Sequence, residues 1–207
     1  MKKIAVVGGG NSSEFEISVK SARAVAEALE GEYETYLVYI KGLNWYWEDQ
    51  NGRAFPLNKD NFSLKLDNTT IRFDAVFVAI HGSPGENGQL QGYLDMTGIP
   101  YTSCDAFCSA LTFNKHACKL YLKDYKIPMA DSLKIAREEN IDSKSIIRKI
   151  GLPCFVKPNA SGSSFGVSRV DKEEELGKAV ETAFTESDEV LVEALLGGRE
   201  VGCGIFK

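Results

Sequence analysis

The sequence has little of what metal centres, disulfide scaffolds, membranes or nucleic acids require. Its five cysteines, Cys104, Cys108, Cys118, Cys154 and Cys203, form an odd set without a Cys-x-x-Cys pair, which indicates neither a zinc site nor a disulfide framework. They are expected to be reduced and mostly packed. No cluster of histidines and carboxylates has transition-metal spacing. No apolar run approaches the roughly 18 to 20 residues needed to span a bilayer. The amino terminus, Met1-Lys-Lys-Ile-Ala-Val-Val, leads straight into glycines rather than into a signal-peptide core and cleavage site. A cytoplasmic protein is therefore expected. With 24 basic against 29 acidic residues the formal charge is −5, and no dense basic block is present, so neither nucleic acid nor an anionic membrane is an expected partner.

What is present suits a globular chain. At 207 residues it has room for one large or two small domains with real cores. Ile4 to Val7 followed by three glycines reads as a buried strand entering a loop, and Ile17 to Leu29 as a helix carrying apolar residues at Ile17, Ala24, Val25, Ala28 and Leu29. Tyr36 to Ile40 is the next strand. Trp45 to Trp47 and Ala54-Phe55 bracket Asn51-Gly52, a hairpin signal, as a small excursion at the sheet edge. The apolar run Ala75 to Ile80 suits the centre of a parallel sheet. A helix at about 88–97 and a short strand at Ile99 to Tyr101 complete an open α/β unit of roughly 100 residues. Helices are expected from about Asp105 to Tyr125 with a break near Asn114, before Ile127-Pro128 stops the pattern. Helices at Ser143 to Ile150 and Glu173 to Phe184, with strands at Cys154 to Lys157, Val167 to Val170 and Val190 to Glu193, form an α+β second unit. The run Glu200 to Lys207 reads as a strand with no partner after it. Complete domains avoid such exposed edges, so the chain is expected to be a piece of a longer protein.

Four segments carry candidate chemistry. In Lys157-Pro-Asn-Ala-Ser-Gly-Ser-Ser-Phe-Gly166 a lysine at the end of a strand opens into a small-residue loop, which sets flexible backbone N–H groups beside an ammonium and suits polyphosphate. A Walker-type loop has the opposite order, with its lysine after the glycines and a helix following. An ordinary hairpin fits the same residues. In Gly8-Gly-Gly-Asn-Ser-Ser-Glu14 a dinucleotide fingerprint fails, because Ser13 stands where a third glycine is needed and no acidic residue follows the second strand. Glu14 either caps the helix or offers a carboxylate to an ammonium at the carboxyl end of the first strand. His81, opening His81-Gly-Ser-Pro-Gly-Glu-Asn-Gly88, leaves the sheet at the same edge, either as a hydrogen-bonded strand-end histidine or as a catalytic group. His116 reads as part of a solvated helix face. Glu193 to Glu200 is either a plain connection or a purine slot whose backbone reads an adenine edge while Glu200 accepts from ribose.

As an ordered set these segments resemble the D-alanine–D-alanine ligases of the ATP-grasp superfamily. The matching pieces are Gly9-Gly10 with Ser12, Glu14, Glu16 and Ser18; His81-Gly82 through Gly85-Glu86, Gly88 and Gln91-Gly92; Asn114-Lys115; Lys157-Pro158 with Gly162-Ser163-Ser164 and Gly166; and Glu193 with Glu200. The resemblance implies an open parallel-sheet amino-terminal substrate domain over residues 1–103. Residues 104–207 would be the ATP-grasp central subdomain and the start of a final subdomain that continues past Lys207. It implies ATP-dependent ligation of two D-alanines through an acyl phosphate, for peptidoglycan synthesis. Glu14 would hold the first ammonium, His81 would support that subsite and Ser163 would organise the second substrate. Lys115 and Lys157 would neutralise phosphates, with Ser163 and Ser164 folding over them, and Glu193, Leu196 and Glu200 would contact adenosine. Magnesium ligands are expected beyond Lys207, so the 207 residues alone are expected to be inactive. Asn87 stands where aspartate is common, and Ala194 where lysine often meets the adenine. A nucleotide-binding module without catalysis, a D-lactate or D-serine ligase, and a homodimer all stay open.

Overall fold

The computed structural model describes residues 1–67 and 69–204. The chain divides into two compact units, the first made of Met1–Tyr121 with Ala160–Phe165, the second of Leu122–Asn159 with the chain from Gly166 onward. Among the described residues no helix is long and apolar enough to cross a membrane.

The first unit opens with β1 (Lys3–Gly9), α1 (Phe15–Ala28) and β2 (Glu34–Lys41), then runs through β3 (Asn44–Glu48), β4 (Ala54–Asn58), β5 (Ser63–Leu66) and β6 (Thr69–Arg72) to β7 (Ala75–Val78). The sheet order is β6-β5-β4-β3-β2-β1-β7. β1 pairs in parallel with β2 and β7, placing Ile4 beside both Thr35 and Ala75, while β2 to β6 form an antiparallel meander. The expected parallel sheet is thus a mixed one. Its edge excursion is four strands long rather than two, because β5 and β6 each offer a very short alternation. Leu64 and Ile71 face one another across this pair and are buried. β1 sits in the parallel centre, where Ala5, Val6 and Val7 are buried whichever face they point to.

Two expectations for this unit are corrected. Ile17 is 42% exposed, and the inward face of α1 is instead Ser18 and Ala22. The helix lies so close to β1 that a Cβ on Gly8 would fall 2.7 Å from the Ala22 Cβ, which leaves room only for small side chains on that face. The strand foreseen at Ile99 to Tyr101 reduces to one bridge between Tyr101 and Val76. Pro100 has no N–H to extend a ladder, although its carbonyl accepts from Val76 N at 2.8 Å.

Local capping explains the helices that follow. α2 (Gln89–Thr97) ends at Gly98 in the left-handed region. α3 (Ala106–Phe113) starts at Asp105, whose side chain accepts from Cys108 N at 2.7 Å. Asn114 leaves the helical region at φ −87° and ψ 99°, and its Oδ1 accepts from Ala117 N at 2.8 Å, so one residue ends α3 and caps α4 (Lys115–Leu122).

The second unit holds β8 (Ser132–Ala136), α5 (Ser143–Ile150), β9 (Cys154–Pro158), β10 (Ser168–Val170), α6 (Leu176–Ala183) and β11 (Glu189–Ala194). Its antiparallel sheet has the order β10-β9-β11-β8. The core joins Ile135, Val156, Val190 and Val192 of the sheet to Ile146, Leu176 and Val180 of the helices. β8 was not foreseen, because its alternation rests on Leu133 and Ile135 alone, just after the stop at Pro128. The long helix expected from Glu173 begins instead as a 3-10 turn, Glu173–Glu175, before α6. Residues 200–204 form no strand, and the rest of the expected terminal strand lies outside the described residues.

The cysteines divide by environment. Cys154 is fully buried in β9, and burial, with a smaller push from Asp171, raises its thiol above the ordinary value; Cys104 and Cys203 are exposed. A buried thiol with little thiolate is inert. Titration with an aromatic disulfide reagent at mildly alkaline pH is expected to modify Cys104 and Cys203 first and Cys154 only after denaturation. Equal rates at Cys154 and Cys104 in the native protein would contradict this packing.

Candidate functional site

The turn from β1 into α1 places Glu14 at the helix entrance, 3% exposed. Its side chain makes no capping hydrogen bond, which removes the capping explanation. Its backbone carbonyl accepts from Ser18 N at 2.9 Å and from Ser18 Oγ at 3.1 Å, fixing the residue to the first helical turn. The carboxylate points instead at the 160–165 segment, where Ser163 Oγ donates to Oε1. Backbone forms the walls of this slot. A Cβ on Gly162 would fall 2.7 Å from Glu14 Oε2, and one on Gly82 would fall 3.2 Å from Oε2 and 2.5 Å from Ser12 Oγ. Among the described residues Glu14 has no ion-pair partner. A buried carboxylate in that state is costly unless a cation completes it, and a small ammonium ligand meets the requirement.

His81 follows β7 and is tied by three serines to α1 and to the turn that precedes it. Its N–H donates to Ser18 Oγ at 2.9 Å, its carbonyl accepts from Ser12 Oγ at 3.1 Å, and its Nε2 lies 2.9 Å from Ser21 Oγ. The turn beyond it closes on itself: Gly82 N donates to Glu86 Oε2 at 2.8 Å and Glu86 N to Gly82 O at 2.9 Å. Asn87 serves this turn, with Nδ2 donating to Ser83 Oγ at 3.0 Å and Oδ1 accepting from Gln89 N at 3.2 Å, so its amide uses a donor that aspartate lacks. Gln91, fully buried, donates through Nε2 to Gly85 O and, at 3.2 Å, to Ser103 Oγ.

The 160–165 segment clusters with the first unit although the strands on either side of it belong to the second. Lys115 Nζ donates to Ser161 O at 2.6 Å. Ser163 and Ser164 stand consecutively in the left-handed region, at φ 45° and 60°, a conformation non-glycine residues adopt only where surroundings impose it. Both are exposed. Glu14, His81, Ser163 and Lys115 therefore belong to one compact unit, with Glu14 and Ser163 in direct contact.

In the second unit Lys157 and Glu193 form an ion pair between adjacent strands. Leu191 lies directly opposite Lys157 in the register, so Glu193 is its diagonal neighbour on the same face. Leu196 is 67% exposed, and neither it nor the exposed Glu200 lies in a helix or strand. His116 is half-buried on α4 rather than fully solvated. Among the described residues no group of three or more histidine, cysteine or acidic side chains could hold a metal ion.

The description "D-ala D-ala ligase N-terminus" matches residues 3–104, and "D-ala D-ala ligase C-terminus" matches residues 121–207. The chain belongs to the D-alanine–D-alanine ligase family. It is 45% identical to a D-alanine–D-alanine ligase from Phocaeicola vulgatus over 100% of this chain and 64% of the relative. It thus spans less than two thirds of that relative's length. Among solved structures it is similar to D-alanyl-alanine synthetase A from Vibrio cholerae, with a TM-score of 0.81 and 33% identity over 95% of this chain and 60% of that one. The VanG D-Ala:D-Ser ligase from Enterococcus faecalis gives a TM-score of 0.77 and 32% identity over 95% and 63%. Around His81, Ser21 is a residue that motif reading passed over. The signal was its position three residues after Ser18, which puts both hydroxyls on one face of α1.

Gly82 has φ +77° as well as the close approach to Ser12. Gly82→Ala is expected to lower stability by about 1–3 kcal/mol, the cost of a left-handed non-glycine residue, as read by denaturant unfolding. A midpoint equal to that of the parent chain would contradict the slot geometry.

Proposed function

We propose that the protein carrying this chain, at the full length of its relatives, is an ATP-dependent D-alanine–D-alanine ligase of peptidoglycan synthesis. Family membership supports the reaction class, and the buried Glu14 carboxylate, bonded by Ser163 and walled by Gly82 and Gly162, is the observation that carries the substrate assignment. Its negative charge in a dry slot selects an ammonium, and the narrow backbone walls favour a small amino acid. Residues 1–103 would form the substrate domain, and 104–207 the central nucleotide subdomain with the start of the last one.

A carboxylate resists attack by an amine until one oxygen becomes a good leaving group. Bound ATP would supply the phosphoryl group that does this, giving an acyl phosphate on the first D-alanine. The residues of this chain would then orient and neutralise. Glu14 holds the first ammonium, His81 supports that subsite and Ser163 organises the second substrate. The Lys115 and Lys157 ammonium groups match polyphosphate chemistry; Lys115 donates to the Ser161 carbonyl, two residues before the strained Ser163-Ser164 backbone, and Glu193, Leu196 and Glu200 would serve adenosine. Among the described residues the acidic side chains form no group of three or more that could hold a metal ion. The likeness to a D-Ala:D-Ser ligase makes the second amino acid the main variable.

Phosphate release from ATP by the full-length protein is expected to require D-alanine and to be supported less well when D-serine or D-lactate is the partner. ATP turnover indifferent to D-alanine would overturn the reading. Glu14→Gln is expected to raise the KM for D-alanine about tenfold to a hundredfold, the worth of a charged hydrogen bond. An unchanged KM would remove Glu14 from the ammonium site.

A further inference from the structure

His81 is held at its backbone by Ser12 and Ser18, but its ring has a separate partner. Ser21 Oγ lies 2.9 Å from Nε2. Ser21 makes no other hydrogen bond among the described residues, and neither does His81 Nδ1. A neutral imidazole carries one proton, and the hydrogen bond made by one nitrogen decides which nitrogen keeps it. Ser21 sits on α1 one helical turn after Ser18, whose Oγ accepts from His81 N at 2.9 Å, so both hydroxyls reach the end of β7 from a helix packed tightly on β1. Among the described residues Nε2 is the hydrogen-bond partner of the Ser21 hydroxyl, which donates to Nε2 when the ring proton sits on Nδ1.

We propose that Ser21 is a positioning residue that holds His81 in its Nδ1–H form, so that the ring offers one N–H donor beside the slot walled by Gly82. This deepens the assignment of Glu14 as the ammonium site and rests on it for its purpose. An amino acid whose ammonium meets Glu14 carries a carboxylate a few ångströms away, and a fixed neutral donor suits that group without adding a second positive charge. Without the Ser21 hydroxyl the ring would be free to exchange tautomers and to turn its acceptor nitrogen toward the ligand.

Two histidines in the whole chain make the test direct. The chain is labelled with nitrogen-15 in its imidazole rings, and long-range proton–nitrogen correlation is recorded near pH 8.5, about two units above an ordinary histidine pKa. A His116→Gln variant assigns the signals. In the parent chain His81 is expected to show an unprotonated Nε2 and a protonated Nδ1. Ser21→Ala is expected to shift the population toward Nε2–H, and Ser21→Thr, which keeps the hydroxyl, to retain the parent pattern. A parent His81 protonated at Nε2 would overturn the proposal even if no variant folds, and so would an identical tautomer pattern in a folded Ser21→Ala chain. Because no substrate is present, failure here is distinct from failure of the ligase reading, which D-alanine-dependent turnover decides.

Discussion

Burying a carboxylate costs free energy that a folded chain recovers only through hydrogen bonds and opposite charge, and Glu14 has the first without the second among the described residues. The Ser163 hydroxyl donates to it, while Ser12 and Ser18 hold its backbone. Much of the first unit follows from keeping that group in place. β1 must be buried on both faces so that its end is rigid, α1 must lie against it closely enough for small residues alone to fit, and the 82–86 turn must approach without side chains. The remaining electrostatic demand is left for a ligand to meet.

The second unit treats charge differently. Lys157 and Glu193 neutralise one another between adjacent strands, with most of both side chains out of water. Under the proposed nucleotide role, Lys157 would give up that pair on turning to a phosphate, so its contribution to affinity would be a difference between two ion pairs rather than the gain of one. Lys115 donates to the carbonyl of Ser161.

Periodicity made the long elements legible. The apolar runs of β1, β2 and β7, the helical stretch from about Asp105 with its break near Asn114 and the α+β order of the second unit could be read directly from the sequence. β5, β6 and β8 were missed because strands of four or five residues show only two inward positions, too few to stand out from loop sequence. The inward face of α1 was misread for a related reason: contact with β1 is too close for large residues, so Ser18 and Ala22 replaced the apolar stripe that pattern reading seeks. At the site, Glu14 and His81 stood out by position at one sheet edge, whereas the bond between Glu14 and Ser163 spans 149 positions and Ser21 looks like any exposed helical serine. Contacts of that separation come from topology, which local sequence does not encode.

A double-mutant cycle on Glu14→Ala and Ser163→Ala tests the central contact most directly. Both residues lie in the first unit, as do Trp45 and Trp47, the two tryptophans of the chain, so tryptophan fluorescence during denaturant unfolding follows the relevant unit. A hydrogen bond between a hydroxyl and a buried carboxylate predicts a coupling of about 1.5–3 kcal/mol. Single effects that add to within about 0.5 kcal/mol would show that the two side chains act independently and would contradict the account.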